Sequence, residues 1–147
     1  MIENKNAKRN YNIKETVETG IVLLGEEVKS IKDNRADLKD SFVKVMNHEL
    51  WLINTNIAKY KFSHNPKYDP IRTRKLLIKR SELTQLESKS KQWGMVLVPL
   101  KMYLKNNKVK VLVGLGRGLK RFEKKNVDKE RDLTLELHRE KREYMVK

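Results

Sequence analysis

The sequence predicts a mainly β protein, a small closed antiparallel barrel with two or three short helices and a basic C-terminal tail. Three observations predict it. Asn47-His48 and Asn106-Asn107 each separate two short apolar runs, as two-residue hairpin turns do. Residues 11–17 alternate apolar and polar side chains, the period of a half-buried strand. After Gly118 the composition turns to Lys, Arg and Glu, leaving Leu133 and Leu137 as the only tidy i, i+4 apolar pair.

Residues 1–10 are polar and basic without apolar periodicity and read as a flexible arm. Tyr11, Ile13 and Val17 then fall on one strand face, so Glu18 projects from the other. The apolar run Ile21–Leu24, bounded by Gly20 and Gly25, reads as a further strand. There the period changes. Glu26 and Glu27 lie where a helix N-terminus favours negative charge, and Val28 and Ile31 share a helix face. Asn34 tolerates the left-handed conformation that ends a helix.

Ser41–Ile53 reads as a hairpin about Asn47-His48, pairing Val45 with Leu50 and Val43 with Leu52. Its other face carries Phe42, Lys44, Met46, Trp51 and Ile53, so both faces are largely apolar. Lys59–Lys75, with two prolines and the cluster Arg72-Thr-Arg-Lys75, reads as a long surface loop before a strand over Leu76–Ile78. Ser81 is placed to cap a helix whose Leu83, Leu86 and Trp93 form a core stripe, and Gly94 ends it.

The second hairpin is the most informative stretch. A turn at Asn106-Asn107 pairs Leu104 with Val109, Met102 with Val111 and Leu100 with Val113 on one face. The opposite face then pairs Lys105 with Lys108, Tyr103 with Lys110 and Lys101 with Leu112. Like charges directly opposite are destabilising, so an anionic partner would relieve this face. The glycines at 114, 116 and 118 lack the following Lys-Ser/Thr and the acidic residue that a nucleotide loop needs. They read as strand kinks or as the exit of the sheet. Residues 11–118 thus form the barrel. Residues 119–147 are a tail that cannot bury enough to order alone, expected disordered when free and helical when docked.

The charge balance narrows the function. Lys and Arg number 34 against 19 Asp and Glu, a net +15 on 147 residues, which attracts a polyanion. No apolar run approaches the roughly 18 residues of a membrane span. The first residues lack the apolar core of a secretory signal, and the chain has no cysteine, which suits a cytoplasmic protein. His48, His64 and His138 are dispersed, and carboxylates mostly alternate with Lys or Arg, so no catalytic centre, metal or cofactor is expected. An RNA-processing enzyme is the weakest reading. RNA binding has better support: lysines hold phosphates, and Tyr103 offers a ring on which unpaired bases stack. Glu18 has the wrong charge for phosphate; it would accept hydrogen bonds from base edges or ribose hydroxyls, or else pair with a local lysine. The oligonucleotide-binding (OB) barrel suits such a sequence, since it binds nucleic acid across a sheet face and its loops.

Gly20-Ile-Val-Leu-Leu-Gly-Glu-Glu-Val-Lys-Ser-Ile31 and Ala36-Asp-Leu-Lys-Asp-Ser-Phe42 resemble the bacterial SsrA-binding protein (small protein B) family, partners of transfer-messenger RNA. The likeness continues through Asp69-Pro-Ile-Arg-Thr-Arg-Lys-Leu-Leu77, Leu97-Val-Pro-Leu100 and Lys129-Glu-Arg-Asp132, covering nearly the whole chain in order. The resemblance implies an OB-like fold with extra helices. It also implies a non-enzymatic role: binding the tRNA-like domain of transfer-messenger RNA and delivering it to stalled ribosomes. The positions matching RNA contacts are Asn4, Glu18, Leu77 and Lys110. To these the sequence reading adds Tyr103, Arg72, Arg74 and Lys75. The tail is expected to enter the decoding site and vacant messenger channel through Lys120, Arg121, Glu123, Lys124, Lys125, Lys129 and Arg131. The family's Asp-Lys-Arg stands here as Glu123-Lys124-Lys125, which replaces a guanidinium fork by a point charge. A monomer is expected. The alternative is a general OB-fold ribosomal or RNA-binding protein with no rescue role.

Overall fold

The computed structural model describes residues 1–119. Six strands close a barrel: β2 (Tyr11–Ile21), β4 (Phe42–Met46), β5 (Glu49–Ile53), β7 (Arg74–Leu77), β8 (Val96–Lys105) and β9 (Lys108–Gly118). Every pairing is antiparallel. The ring runs β2, β9, β8, β4, β5, β7 and back to β2, so each strand of the wall has neighbours on both edges. Closure removes the exposed edges that would otherwise template pairing with another chain. A two-stranded ribbon, β3 (Ala36–Asp37) with β6 (Asn56–Ile57), lies outside the ring.

Both hairpins turn where the sequence places them. Asn47 and His48 have φ of 53° and 60°, and Asn106 and Asn107 have 51° and 65°. Positive φ at both central residues matches the right-handed twist of the flanking strands, and asparagine tolerates it well. The registers Val43–Leu52, Val45–Leu50, Leu104–Val109, Met102–Val111, Tyr103–Lys110 and Lys105–Lys108 all form. The expected Leu100–Val113 pair does not. Val113 faces Pro99, and Leu100 is an extra residue between the Pro99 and Lys101 pairings. Proline has no N–H to give the ladder, and a bulge accommodates it. A second bulge, between Ile13 and Glu15, bends β2 over β9. At this point Gly116 faces Ile13, and a Cβ on it would lie 2.6 Å from the Asn12 carbonyl oxygen, so only glycine fits.

The core is lined by Leu50, Leu52, Leu76, Met102, Val111, Val113 and Leu115, with Ile31, Leu83 and Leu86 supplied by helices. Helix α2 (Gly25–Lys32) has no side-chain cap of its own; the Glu27 carboxylate reaches back to the Leu24 N–H at 2.8 Å. Asn34 follows it at φ 56°. Helix α3 (Arg80–Trp93) ends at Gly94, whose φ is 61°.

Several expectations are corrected. Residues 1–10 are not an arm: Ile2–Glu3 form β1, paired with Met102 and Lys101 of β8, and Ala7–Asn10 form the single turn α1. Strand β4 covers only the Leu97 end of that edge of β8, leaving the rest for β1. Ile2 (7% exposed) and Ala7 are buried, but two isolated apolar residues create no periodicity to read. The separate strand over Ile21–Leu24 is absent, because β2 runs through Gly20 and stops at Ile21. Helix α3 is preceded by Lys79 rather than capped by Ser81. Trp93 is 63% exposed rather than core, because the apolar stripe outruns the barrel it packs on. Strand β7 begins at Arg74, within the stretch read as loop. The backbone of Leu119 donates to the Asn10 carbonyl at 2.8 Å, fixing where the barrel ends.

Candidate RNA-binding wall

Ladder registers bring one face of four strands together. Leu77 of β7 pairs with Gly20 of β2, Gly20 with Lys110 of β9, and Lys110 with Tyr103 of β8. In the next row Glu18 pairs with Leu112, and Leu112 with Lys101. Met102 and Val111, the neighbours of these residues, point into the core, so alternation sends both rows outward. Leu77 is 51% exposed, an apolar side chain standing beside a glycine. Gly20 is confined here, since a Cβ would come within 3.3 Å of the Leu77 Cβ.

Glu18 and Tyr103 meet across β9. The Tyr103 hydroxyl donates to Glu18 Oε2, and Lys105 Nζ donates to Oε1 at 3.3 Å. The Tyr103 bond lowers the Glu18 carboxyl below its ordinary range, and Lys105 and Lys110 add to this. Burial, then the adjacent carboxylate, pushes the Tyr103 phenol up to about 12. Lys101 Nζ lies 5.4 Å from the centre of the Tyr103 ring. The wall therefore presents an ionised acceptor, a ring with a cation on it, and a lysine on the same surface. Such a set can hold phosphate through lysine while the carboxylate accepts from base or ribose donors.

The other expected site residues divide. Asn4 follows β1, and its side chain donates to the Pro99 carbonyl at 2.9 Å, so it closes the β8 bulge at the edge of the wall. Lys75 points outward on β7 and pairs with Glu49 at 3.2 Å. Arg74 is a correction. It is 0% exposed and cannot reach RNA. It points inward because it stands one position out of phase with Lys75 and Leu77. There its Nε meets Glu27 Oε2 at 2.5 Å, and its remaining nitrogens donate to the carbonyls of Thr55 and Pro70. Arg72 is drawn the same way, 2.5 Å from Glu27 Oε1. Burial alone would raise the Glu27 carboxyl, yet the Leu24 N–H, Arg72 and Arg74 hold it low. This clamp fastens α2 to the segment entering β7, which ends at Leu77. The sequence signalled Glu27 only as a helix N-terminal charge and gave no sign of its burial.

Lys120, Arg121, Glu123, Lys124, Lys125, Lys129 and Arg131 lie outside the described residues. Among the described residues no three His, Cys, Asp or Glu side chains gather as a metal site, and no helix is long and apolar enough to cross a membrane.

The sequence matches the family described as SmpB protein over residues 1–143. The chain belongs to the SmpB family. SsrA-binding proteins of several Streptococcus pyogenes strains are 44% identical over 144 residues, covering 98% of this chain and 93% of theirs. A solved structure described as "tmRNA-SmpB: a journey to the center of the bacterial ribosome" superposes with a TM-score of 0.67 at 43% identity. It covers 84% of this chain and 90% of its own. Membership accords with an OB-like barrel bearing a basic, aromatic wall.

Proposed function

We propose that this chain binds the tRNA-like domain of transfer-messenger RNA and delivers it to stalled ribosomes, acting as a non-enzymatic adaptor in the cytoplasm. One observation carries the reading. Four strands bring Leu77, Lys110, Tyr103 and Glu18 onto one wall, although they span residues 18–110 of the sequence. Lysine charge supplies salt-sensitive affinity, the tyrosine ring and Leu77 offer contacts for bases or ribose, and Glu18 selects hydrogen-bond donors over phosphate. Membership of the SmpB family and the relatives' names support transfer-messenger RNA as the ligand over an unspecified RNA.

In this reading Lys120, Arg121, Glu123, Lys124, Lys125, Lys129 and Arg131 serve the ribosome, and the barrel serves the RNA. Removing residues 119–147 tests the division. Rescue of stalled ribosomes fails while affinity for the tRNA-like RNA largely survives. Loss of RNA affinity on that deletion would instead favour a general RNA-binding protein without a rescue role.

A further inference from the structure

At one place in the barrel wall neighbouring strands barely zip. The ladder between β4 and β8 is a single pair, Val43 with Leu97. Beyond it the strands part beside the end of α3, and a groove of about 250 Å³ opens there. Val45, Met95 and Val96 make its lining apolar, and Val96 is 45% exposed although it begins a barrel strand. Lys44 stands on the strand side of the groove and Glu87 on the helix side. Lys91 Nζ lies 3.1 Å from the Glu87 carboxylate, but that lysine is 78% exposed, so the contact is weak and open to exchange. A cavity of about 150 Å³ already accepts benzene, so the groove has room for one aromatic ring.

The chain leaves the barrel beside this groove. Val96 pairs with Gly116, so the groove and the last residues of β9 share one end of the barrel. Leu119 is fixed there by its bond to Asn10. Strand β8 alone stands between β9 and the groove, and two strand spacings are about 10 Å. Phe122 comes three residues after Leu119, and three residues of extended chain reach about 10 Å. Arg121 precedes it and Glu123 follows it, one charge for each of Glu87 and Lys44. A tether this short raises the local concentration of the ring to the millimolar range. A contact too weak to hold two molecules together is then populated within one.

We propose that Phe122 docks in the groove between β4, β8 and the end of α3, with Arg121 toward Glu87 and Glu123 toward Lys44, latching the root of the tail to the barrel. A latched root withholds Lys120, Arg121 and Glu123 from other partners and must release before they engage one. That consequence rests on the tail's proposed work at the ribosome; the docking itself does not.

Methyl NMR of the full chain tests the latch without RNA or ribosome. The docked ring shifts the methyl signals of Val45, Met95 and Val96 upfield, and Phe122→Ala abolishes the shift while leaving the melting temperature unchanged. Phe122→Trp keeps it. The chain has no cysteine, so Lys91→Cys combined with Glu123→Cys gives a clean disulfide trap. Tethering alone closes that trap slowly; docking closes it severalfold faster than in the same pair carrying Phe122→Ala. Methyl signals indifferent to Phe122→Ala, or equal closure rates, overturn the proposal. So does a shift or a disulfide that arises between chains in a mixture of labelled and unlabelled protein, which would make the occupant a second copy.

Discussion

The Tyr103 hydroxyl reaches over β9 to Glu18, joining β8 to β2 across an intervening strand. Two groups that titrate far apart thus hold each other in fixed states. Glu18 is lowered from 4.5 by the Tyr103 hydrogen bond, so its contribution is present above that value and lost as pH falls through the folded value. Tyr103 is raised from 10.0 to about 12, so its contribution is present below 10 and lost as pH rises through 12. In NMR titrations the Tyr103 ring keeps its neutral signature past pH 10, and Glu18→Gln lowers that midpoint. A midpoint unmoved by the substitution would show that the pair is not joined.

Lys110→Ala removes a phosphate contact from the wall and leaves the melting temperature unchanged, because the side chain points outward. Affinity for the tRNA-like RNA falls, and the slope of log affinity against log salt drops by about one. A large loss of thermal stability would reassign Lys110 to the fold.

Glu27→Gln breaks the buried clamp on Arg72 and Arg74. Leaving a guanidinium buried without its counter-charge costs about 3–5 kcal/mol, measured as a lower urea midpoint. The ionised Glu27 stabilises the fold above 4.5, and that support is lost as pH falls through its lowered value. A cost near zero would mean that the carboxylate is solvated.

Two glycines make a matched pair. Gly116→Ala forces a Cβ against the Asn12 carbonyl and destabilises by about 1–3 kcal/mol, through overpacking of the β2–β9 ladder. Gly25→Ala meets nothing within 4 Å and is neutral or slightly stabilising. Equal effects in thermal melts would remove the packing explanation.

What was legible in the sequence is what local chemistry fixes. Asn106-Asn107 sets a turn, the turn sets a register, and the register places Tyr103 opposite Lys110. Glu18 outward follows from alternation in the same way. Contacts between distant segments left no such trace. Nothing local tells Arg74 from Lys75, yet one is sealed against Glu27 and the other faces water. Ile2 finds Met102 only because β4 is too short to cover that edge of β8. The meeting of Tyr103 with Glu18 depends on β9 lying between them, which no spacing within either strand encodes.

Leu119 is moored to Asn10 at one end of β9, and Lys110 stands near the other. Eight residues of extended chain separate Lys110 from Gly118, about 26 Å at 3.3 Å per residue. The strand is therefore a ruler. Whatever follows Leu119 departs from a stiff post set at that distance from the Lys110 contact, so one bound object fixes where the next must lie.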